Sequence, residues 1–407
     1  MLHASILPYH PKWATLFSGL RYVVIDEVHT YRGILGAHVS AVLRRLQRIC
    51  AHYGAQPTFL AASATIANPG ELTGRLINRP VEVIDNDGAP RGRKFFALWN
   101  PTPLGADGLA RQSANDDAVH SLVEALKGGG QALAFTRTRQ AAELIHRYAR
   151  EQLGGEHSPL ADQVRAYRGG YLPNERRQME QELFSGRLRG VATTNALELG
   201  IDVGSLDVAI LVNYPGTIAS CWQQAGRSGR RHEESLAVLL AGNDPVDQYL
   251  LRNPCYFFSQ SPEHAVVDPD NPYVLAKHLQ AAAFELPLGE TDFEHFGPLA
   301  EPIAGALCHE KKLAEVNGDY YFAGGQNPAV NVSLRHMSDN TFSIVEQSSR
   351  DEAKHNVIAN VDAISAPELV YPEAVYLHNG DTYLVRELDL EGKVAYVERR
   401  ETDYYTQ

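Results

Sequence analysis

Two adjacent carboxylates, Asp26 and Glu27, stand directly after a short apolar run at residues 22–25. A wholly apolar run of this length is typical of a parallel strand buried on both faces, and open α/β sheets bind ligands beyond the carboxyl ends of such strands. Paired carboxylates there suit a nucleotide-bound magnesium ion, because one can hold the metal while the next orients and deprotonates an attacking water. The alternative is a strand followed by an acidic helix N-terminus, which the helix dipole also favours.

A second chemical signal is the segment 220–231, which contains Gln223, Arg227 and Arg230 at spacings of i, i+4 and i+7. If the segment is helical, these three side chains share one face. The two glycines of the segment would each cost such a helix about 1 kcal/mol relative to alanine, which indicates that something approaches the backbone closely. Guanidinium groups suit the developing charge on a transferring phosphoryl group, and the alternative is a basic, solvent-exposed helix.

Hydroxyl, amide and arginine side chains follow several other apolar runs. Ser63-Ala64-Thr65 comes after the run 58–61, and small hydroxyl residues at a strand end can relay hydrogen bonds between sites. Asp202, two residues after Gly200, can accept a hydrogen bond from a ribose or an arginine. The candidate donors for sugar-phosphate oxygens are Thr136, Arg137, Arg168, Gly169, Thr194 and Asn195. Each of these short segments is also compatible with an ordinary loop.

The elements that must position these residues alternate in the first two thirds of the chain. Apolar runs predict strands at residues 22–25, 58–61, 131–135, 191–193, 208–212 and 236–240, with helices such as 37–52 and 139–152 between them. This order predicts an α/β fold with parallel sheets. We expect two sheets, because an interval rich in Gly, Pro, Asn and Asp at 86–116 precedes a restart of the pattern.

The last third of the chain has a different character. Helical stretches at 274–284 and 300–315, followed by a β-like segment at 318–323, predict a winged helix. From residue 329 the pattern becomes a β-meander, in which the turn Asn379-Gly380 joins two strands. We therefore expect a small β-barrel at the end of the chain.

Charge and cysteine content limit the possible functions. The net charge is −12, but residues 1–260 hold 27 Lys and Arg against 24 Asp and Glu, whereas residues 261–407 hold 10 against 25. Local grooves of the first part can therefore still be positive and bind nucleic acid. Four cysteines are too few for a disulfide scaffold, and their isolated spacing predicts no zinc site. No apolar run is as long as a membrane span and no secretion signal is visible, so we expect a cytoplasmic protein without a membrane partner.

Five segments resemble, in order, motifs II to VI of superfamily 2 helicases. They are Asp-Glu-Val-His, Ser-Ala-Thr, Phe-Thr-Arg-Thr-Arg, Ala-Thr-Thr-Asn-Ala-Leu-Glu-Leu-Gly-Ile-Asp and Gln-Gln-Ala-Gly-Arg-Ser-Gly-Arg-Arg. Residues 26–46 and 371–380 further resemble the bacterial mitomycin-repair helicase family and its fungal RecQ-related relatives, which are 3′ to 5′ DNA helicases. The resemblance implies a partial RecA-like motor domain at 1–105, a complete one at 106–260, a winged helix at 261–327 and a small β-barrel at 328–407.

The resemblance also implies roles for individual residues. ATP and Mg²⁺ would be handled by Asp26, Glu27, His29, Gly200 and Asp202, and the γ-phosphate would be sensed by Gln223, Arg227 and Arg230. Ser63, Ala64 and Thr65 would couple hydrolysis to strand movement. Thr136, Arg137, Arg168, Gly169, Thr194 and Asn195 would contact the backbone of single-stranded or tailed duplex DNA, with RNA as the alternative.

The sequence departs from the helicase pattern at its phosphate-binding loop. No G-x-x-x-x-G-K-[ST] segment occurs, and the nearest match, residues 88–95, has the wrong spacing. The family's cysteine-rich C-terminal module is also absent. We therefore expect an incomplete chain that does not hydrolyse ATP and that aggregates through an apolar sheet edge. The alternatives are a non-catalytic nucleic-acid-binding module derived from a helicase and an RNA-remodelling ATPase.

Overall fold

The chain is described here by a computed structural model. The described residues are 1–64, 66–86, 88, 92–104, 110–155, 158–198, 206–229, 234–332, 334, 341–347, 355–363, 365–378, 381–400, 402 and 406. They form two compact units, Met1–Asn86 with Glu263–Met337, and Asp87–Pro262 with Ser338–Gln407. Each unit therefore combines an α/β part with a segment from the last third of the chain. In the described part of the chain, no helix is both long and apolar enough to cross a membrane.

The α/β part of the first unit is small. Numbered along the whole chain, its elements are α1 (Ala14–Ser18), β1 (Tyr22–Ile25), α2 (Gly33–His52), β2 (Thr58–Ala61) and α3 (Pro69–Ile77), preceded by short helical segments at Leu2–Ile6 and Leu7–Trp13. The two strands pair in parallel, with Tyr22 opposite Thr58. Apolar residues recur every three or four positions along α2, and Val42, Leu46 and Ile49 enter the core of this unit with Ile25.

The winged-helix part of the first unit follows. Its elements are α10 (Pro272–Glu285), α11 (Glu290–Phe296), α12 (Ala300–His309), β11 (Leu313–Val316) and β12 (Asp319–Phe322), the last two forming an antiparallel hairpin. The predicted helix over 300–315 is wrong in its final part, because α12 ends at His309 and Lys311 adopts the left-handed φ of 58° that lets the chain turn into β11. Pro328–Asn331 forms a 3-10 turn rather than the start of a meander.

The second unit contains a six-stranded parallel sheet. Its strands are β3 (Lys94–Trp99), β6 (Ala132–Phe135), β7 (Val164–Tyr167), β8 (Gly190–Thr193), β9 (Val208–Val212) and β10 (Ser235–Leu240). Their order is β3-β10-β9-β6-β8-β7. The predicted first motor domain, 1–105, includes this strand, whereas the structure pairs Lys94–Trp99 with β10 from Ser235 to Leu240. The helices on its faces are α4 (Ala114–Lys127), α5 (Arg139–Gln152), α6 (Pro173–Phe184), α7 (Ile218–Ala225), α8 (Pro245–Arg252) and α9 (Pro254–Ser259), and a small hairpin joins β4 (Pro103–Leu104) to β5 (Ala110–Arg111).

A five-stranded sheet completes the second unit. Its strands are β13 (Thr341–Gln347), β14 (His355–Asp362), β15 (Val375–His378), β16 (Asp381–Asp389) and β17 (Val394–Arg399), with α13 (Ala366–Leu369) before β15. The order is β14-β13-β17-β16-β15, and only the β13–β17 pair is parallel. The predicted Asn379-Gly380 turn lies outside the described residues, but His378 pairs with Asp381 on either side of it. The α/β class and the winged helix predicted from the sequence are thus confirmed.

Candidate functional site

The two carboxylates of the first unit stand at the carboxyl end of β1. Asp26 is exposed, and its Oδ1 accepts a hydrogen bond from the Glu27 amide at 2.8 Å. Glu27 adopts a left-handed φ of 50°, which ends the strand, and its carbonyl accepts from the Thr30 hydroxyl at 2.8 Å. The Glu27 side chain remains one-third exposed. Both carboxylates are therefore accessible to a ligand at the strand end.

His29 links these carboxylates to the end of β2. Its ring is buried, and its Nδ1 accepts a hydrogen bond from the Ala64 amide at 3.2 Å and lies 3.4 Å from Glu27 Oε2. In the neutral ring this places the proton on Nε2. The neighbouring Ser63 hydroxyl donates to the Ala64 carbonyl at 2.8 Å. The structure thus brings His29 and Ser63-Ala64 together with Glu27, while Thr65 lies outside the described residues.

The donor set at β1 fits a magnesium ion held through a nucleotide rather than by the protein alone. Carboxylate oxygens are ligands that Mg²⁺ prefers, and this ion keeps several waters and phosphate oxygens in its shell. Among the described residues, no group of three or more His, Cys, Asp or Glu side chains is placed to hold a metal. Asp26 and Glu27 would therefore meet the ion and its water, and the phosphates would need further partners.

A polar cavity lies at the carboxyl edge of the six-stranded sheet. Its volume is about 180 Å³, and the residues that line it follow β6, β8 and β9 or lie on α7. The lining residues are Phe135, Thr136, Arg137, Asn195, Glu198, Val212, Asn213, Pro215, Ser220 and Gln224. Because the carboxyl ends of parallel strands meet at one edge, residues as distant in sequence as Thr136 and Gln224 line the same cavity. Six residues are predicted from the sequence to contact the DNA backbone. Three of them, Thr136, Arg137 and Asn195, line this cavity.

Arg137 provides the positive charge of the cavity. Its Nε donates to the Tyr214 carbonyl at 2.8 Å, and its Nη2 lies 4.0 Å from Oδ1 of the fully buried Asp247. Asp247 is itself held by the amides of Tyr214 and Gly242, at 3.1 and 2.7 Å. These contacts orient the guanidinium, and 43% of the side chain remains exposed. Arg137 can therefore meet an anion from solvent without first losing its protein partners.

Both threonines of the predicted set are buried. Thr136 is buried, and its hydroxyl donates to the carbonyl of Thr138 at 2.9 Å. Thr194 is also buried and precedes the 3-10 turn Asn195–Leu197, whereas Asn195 is exposed. Asn195 and Arg137 are thus the members of the set that a ligand in the cavity can reach most directly.

Arg168 lies elsewhere, in a cluster between the six-stranded sheet and β15. Only 1% of its side chain is exposed, its Nε donates to Glu143 Oε1 at 2.8 Å, and its Nη2 donates to the Leu377 carbonyl at 2.8 Å. Burial opposes the charge of Glu143, but Arg168 and the Tyr171 hydroxyl outweigh it and lower the pKa of this carboxyl. Arg168 is therefore committed to internal contacts and does not belong to the cavity.

The two glycines after Arg168 differ in their surroundings. A Cβ at Gly169 would meet open space, whereas Gly170 has a φ of 107° and its Cβ would lie 2.9 Å from the Asn360 carbonyl. The Gly170 carbonyl also accepts from the Asn360 amide at 2.9 Å. The close approach of β14 thus requires glycine at 170, and the Arg-Gly-Gly segment serves to join the two sheets of this unit.

The glutamine and arginine segment is not one continuous helix. The helix α7 ends at Ala225, and Gly229 has a φ of 80° that only glycine adopts readily. The prediction that Gln223 and Arg227 share a helix face is therefore wrong, because Arg227 comes after the helix has ended. Gln223 is half-buried on α7, and the buried Arg227 donates to the carbonyl of Glu198. Three predicted residues, Gly200, Asp202 and Arg230, lie outside the described residues.

Glu198 was not among the residues predicted from the sequence. Its carboxylate is buried, with Oε1 accepting from the Ser220 hydroxyl and Oε2 accepting from Gln224 Nε2 at 2.9 Å. A signal was present, because Glu198 stands between two leucines and an acidic residue in an apolar segment indicates a buried partner. The i, i+4 spacing of Ser220 and Gln224 supplies that partner on one face of α7.

Two family models match parts of the chain. The model of the helicase conserved C-terminal domain matches residues 116–232, and the winged helix domain of ATP-dependent helicase HRQ1 matches residues 267–337. These ranges include the cavity and the α10–β12 region. These two regions belong to helicase domain families.

Relatives of this family match the whole chain. It is 45% identical over 407 residues to the uncharacterized ATP-dependent helicase YprA of Bacillus subtilis, covering 54% of that protein, and 34% identical over 422 residues to ATP-dependent helicase HRQ1 of Saccharomyces cerevisiae, covering 38% of it. The crystal structure of DUF1998 helicase MrfA bound to DNA matches all of this chain with a TM-score of 0.93 and 45% identity, over 57% of its own length. The chain thus spans roughly half the length, or less, of these helicases.

Proposed function

We propose that this protein acts as an ATP-dependent 3′ to 5′ DNA helicase of the DNA-repair type, and that its polar cavity holds the backbone of single-stranded DNA. The observation that carries this proposal is the meeting of Thr136, Arg137 and Asn195 at one sheet edge. A guanidinium and an amide at a strand end are donors for phosphate and sugar oxygens. The similar MrfA structure, solved with DNA, supports the choice of ligand.

The nucleotide would be handled in two places. Asp26 and Glu27, with His29 behind them, would hold Mg²⁺ and the attacking water, and Ser63, Ala64 and Thr65 would couple hydrolysis to DNA movement. Gln223, Arg227 and Arg230 would sense the γ-phosphate, with Gly200 and Asp202 nearby in sequence. MrfA has also been solved with DNA and AMPPNP, which supports a nucleotide site in this family.

The sequence holds no G-x-x-x-x-G-K-[ST] segment to cradle the phosphates, so we propose that the 407-residue chain alone does not turn over ATP. We expect no phosphate release above that of Glu27→Gln when the chain is incubated with Mg²⁺, ATP and oligo-dT. A coupled phosphate-release assay measures this. DNA-stimulated hydrolysis that the Glu27→Gln substitution abolishes would contradict the proposed inactivity of the 407-residue chain and would support an active helicase motor.

The same missing segment favours a second candidate, a nucleic-acid-binding module that works without nucleotide turnover. In this candidate the cavity also binds nucleic acid, but the protein does not hydrolyse ATP. Motor motifs contact the backbone, so RNA is a further possible ligand of either candidate. Comparing oligo-dT with oligo-U in the binding experiment below separates these ligands.

The cavity is tested with Arg137→Ala. We expect binding of oligo-dT to weaken by about 10- to 150-fold, because a hydrogen bond to a charged phosphate contributes about 1.5–3 kcal/mol. We also expect the slope of log K against log salt concentration to become less negative by about 0.7, which is the contribution of one phosphate contact to single-stranded nucleic acid. Fluorescence anisotropy over a salt series measures both quantities.

A matched control is Arg147→Ala. Arg147 lies on α5, pairs with Glu151 at 3.1 Å and does not line the cavity. We expect binding by this variant to equal that of the unaltered chain. Equal losses in the two variants, or binding that does not change with salt, would argue against a phosphate-binding cavity.

A further inference from the structure

Three neighbouring strands of the six-stranded sheet end beside one buried carboxylate, that of Asp247. The strands are adjacent in the order β10-β9-β6, and the loops that follow them carry Gly242, Tyr214 and Arg137. The Asp247 side chain is fully buried, its Oδ1 accepts from the Tyr214 amide at 3.1 Å, and its Oδ2 accepts from the Gly242 amide at 2.7 Å. Because a buried charge is costly unless it is hydrogen-bonded, this carboxylate keeps both loops in place.

The Tyr214 peptide connects Asp247 to Arg137. Its N–H donates to the carboxylate, and its carbonyl accepts from Arg137 Nε at 2.8 Å and from Nη2. Nη2 also lies 4.0 Å from Asp247 Oδ1, which is too far for a hydrogen bond but close enough for the two charges to attract each other. The guanidinium is therefore held by a backbone carbonyl and drawn towards a buried charge, while 43% of the side chain is exposed.

Asp247 is itself held by its own helix, independently of Arg137. It lies in the first turn of α8, where the Asp244 side chain caps the helix by accepting from the Val246 amide at 2.9 Å. Further along the same helix, Leu250 packs into an apolar core beneath the sheet. The carboxylate thus stands on a helix that is anchored at its N-terminus and at its apolar face.

The same carboxylate fixes one wall of the cavity. Asn213 lines the cavity, directly precedes Tyr214 and has a left-handed φ of 63°. A Cβ at Gly242 would lie 2.9 Å from Asn213 Oδ1, so the loops after β9 and β10 are in close contact. Movement of the Tyr214 peptide would therefore displace this wall together with Arg137.

We propose that Asp247 is a positioning residue that holds Arg137 where the cavity receives a phosphate of the DNA backbone. It acts through the Tyr214 peptide and through the attraction between its charge and the guanidinium, and it does not line the cavity itself. An arginine whose planar donors are already oriented loses less side-chain entropy when it binds a phosphate. The strength of the phosphate contact therefore depends on a carboxylate outside the cavity. This inference rests on the proposed DNA-binding function of the cavity.

The test combines Asp247→Asn with Arg137→Ala in a double-mutant cycle, measured by fluorescence anisotropy of the 407-residue chain with oligo-dT. The asparagine keeps the size of the side chain, but it loses the charge and turns an N–H donor towards one of the two backbone amides. We expect Asp247→Asn to weaken binding about tenfold, within the range of coupling between residues of one hydrogen-bond network. In the Arg137→Ala background we expect no further loss, because the group that Asp247 positions is then absent.

The salt dependence supplies a readout that a merely structural role would not change. A displaced Arg137 no longer neutralises its phosphate. We therefore expect Asp247→Asn to make the slope of log K against log salt concentration less negative by about 0.7, as Arg137→Ala does. A chain that is only less stable contains fewer folded molecules, and these keep the slope of the unaltered chain. Circular dichroism measures the folded fraction.

Two substitutions serve as matched controls. Asp244→Asn makes the same change in α8 at an exposed position, where asparagine caps a helix as well as aspartate does. Glu143→Gln removes the charge of a carboxylate that is also buried but belongs to the Arg168 cluster. We expect both variants to bind oligo-dT with the affinity and the slope of the unaltered chain, and Glu143→Gln to have a lower melting temperature.

If Asp247→Asn does not fold, Gly242→Ala tests the same anchor without a change of charge. The new Cβ would lie 2.9 Å from Asn213 Oδ1 and 3.5 Å from Asp247 Oδ2, so the loop after β10 must shift against the carboxylate. We expect weaker binding when Arg137 is present and no further loss in Arg137→Ala. An equal loss in the two backgrounds would contradict the role of Asp247.

The outcomes separate the two proposals. Binding of oligo-dT that Arg137→Ala leaves unchanged would overturn the DNA-binding function of the cavity. If Arg137→Ala weakens binding, then unaltered affinity and slope in Asp247→Asn would overturn the role of Asp247 alone. A further loss when Asp247→Asn is added to Arg137→Ala, or an equal loss in Glu143→Gln, would also overturn it, since the effect would then not depend on Arg137.

Discussion

The two parallel sheets of this protein are built from similar apolar strands but are covered to very different degrees. All four residues of β6 are buried, from Ala132 to Phe135, in a sheet of six strands. In the described residues of the first unit, β1 and β2 pair only with each other, and Val24 is 68% exposed. Parallel strands need cover on both faces, and among the described residues β1 is covered on one face only, where Ile25 enters the core.

The first unit combines its apolar core with a network of buried polar contacts. Arg45 on α2 forms an ion pair with Glu285 on α10, and both side chains are fully buried. Arg45 Nη1 also contacts His3 Nδ1 at 2.7 Å, and His38 Nδ1 lies 3.0 Å from His278 Nε2. This network joins α2 and the N-terminal segment to α10 of the winged helix.

The largest effect is expected from Glu285→Ala. Removal of the carboxylate leaves the Arg45 guanidinium buried without its partner, which costs about 3–5 kcal/mol. We expect the free energy of unfolding to fall by this amount in the first unit only. Hydrogen exchange in α2 measures the unfolding of the first unit, and exchange in α5 measures the unfolding of the second unit.

Glu310→Ala is the control, because Glu310 pairs with Lys312 at 2.6 Å and both side chains are more than half exposed. We expect it to leave the exchange of α2 unchanged. If Glu285→Ala accelerates exchange in α2 and α5 alike, the two units do not unfold separately and the comparison fails.

Acid is expected to have an intermediate effect. Burial and the charge of Arg45 lower the pKa of His3 to about 4, and the same two causes hold the pKa of His278 well below 6.5. Between pH 6.5 and about 4 the unfolded chain therefore binds more protons than the folded chain, so stability of the first unit is lost as pH falls through this range. Urea unfolding of α2 between pH 7 and pH 5, monitored by hydrogen exchange, measures the loss.

The second unit has its own buried histidines, His146 and His378, and burial is the largest cause that lowers the pKa of each to about 4. We therefore expect α5 to lose protection over the same range. A unit whose stability is constant from pH 7 to pH 5 would show that its histidines are solvated in solution.

The smallest effect is expected from Val24→Thr. The substitution keeps the branched shape on an exposed strand face, so we expect the free energy of unfolding to change by less than about 0.5 kcal/mol. We also expect slower aggregation in light scattering, because apolar surface at an open sheet is reduced. The predicted aggregation of the chain is measured in the same experiment.

Val191→Thr is the matched substitution in the second sheet, where the valine is 2% exposed. A buried hydroxyl without a partner costs about 1–3 kcal/mol. Equal destabilisation by the two substitutions would show that the outer face of β1 is covered in solution and would remove the contrast between the sheets.

Much of the local structure was predictable because strand patterns are local. The predicted bounds of β1, β2 and β9 agree with the structure. By contrast, the sequence gives no bounds for β7, since Arg165 interrupts its apolar pattern, although a strand was expected to end before Arg168. The bounds of β13 and β14 inside the predicted β-meander were missed as well, because these strands carry many polar residues.

The candidate site was predictable in part. Residues that follow strands were expected at one edge, and Arg137 and Asn195 do meet there. Arg168 also follows a strand, but its position depends on β15, more than 200 residues later in the chain. No pattern around Arg168 shows that Tyr376 and Leu377 will cover it. The roles of Gly200, Asp202, Arg230 and Thr65 stay predictions.

The sequence by itself determined the resemblance to helicases, the alternation of strands and helices, and the residue types available for phosphate chemistry, because these depend on short patterns and their order. Only the tertiary structure decided which residues share a cavity and which are buried in internal ion pairs. In that structure the Glu198 carbonyl accepts a hydrogen bond from Arg227, and Arg168 is buried against β15, where it donates to the Leu377 carbonyl. The physical reason is that burial and charge pairing depend on distant segments, and an arginine has the same sequence signature whether it meets a phosphate or a buried carboxylate.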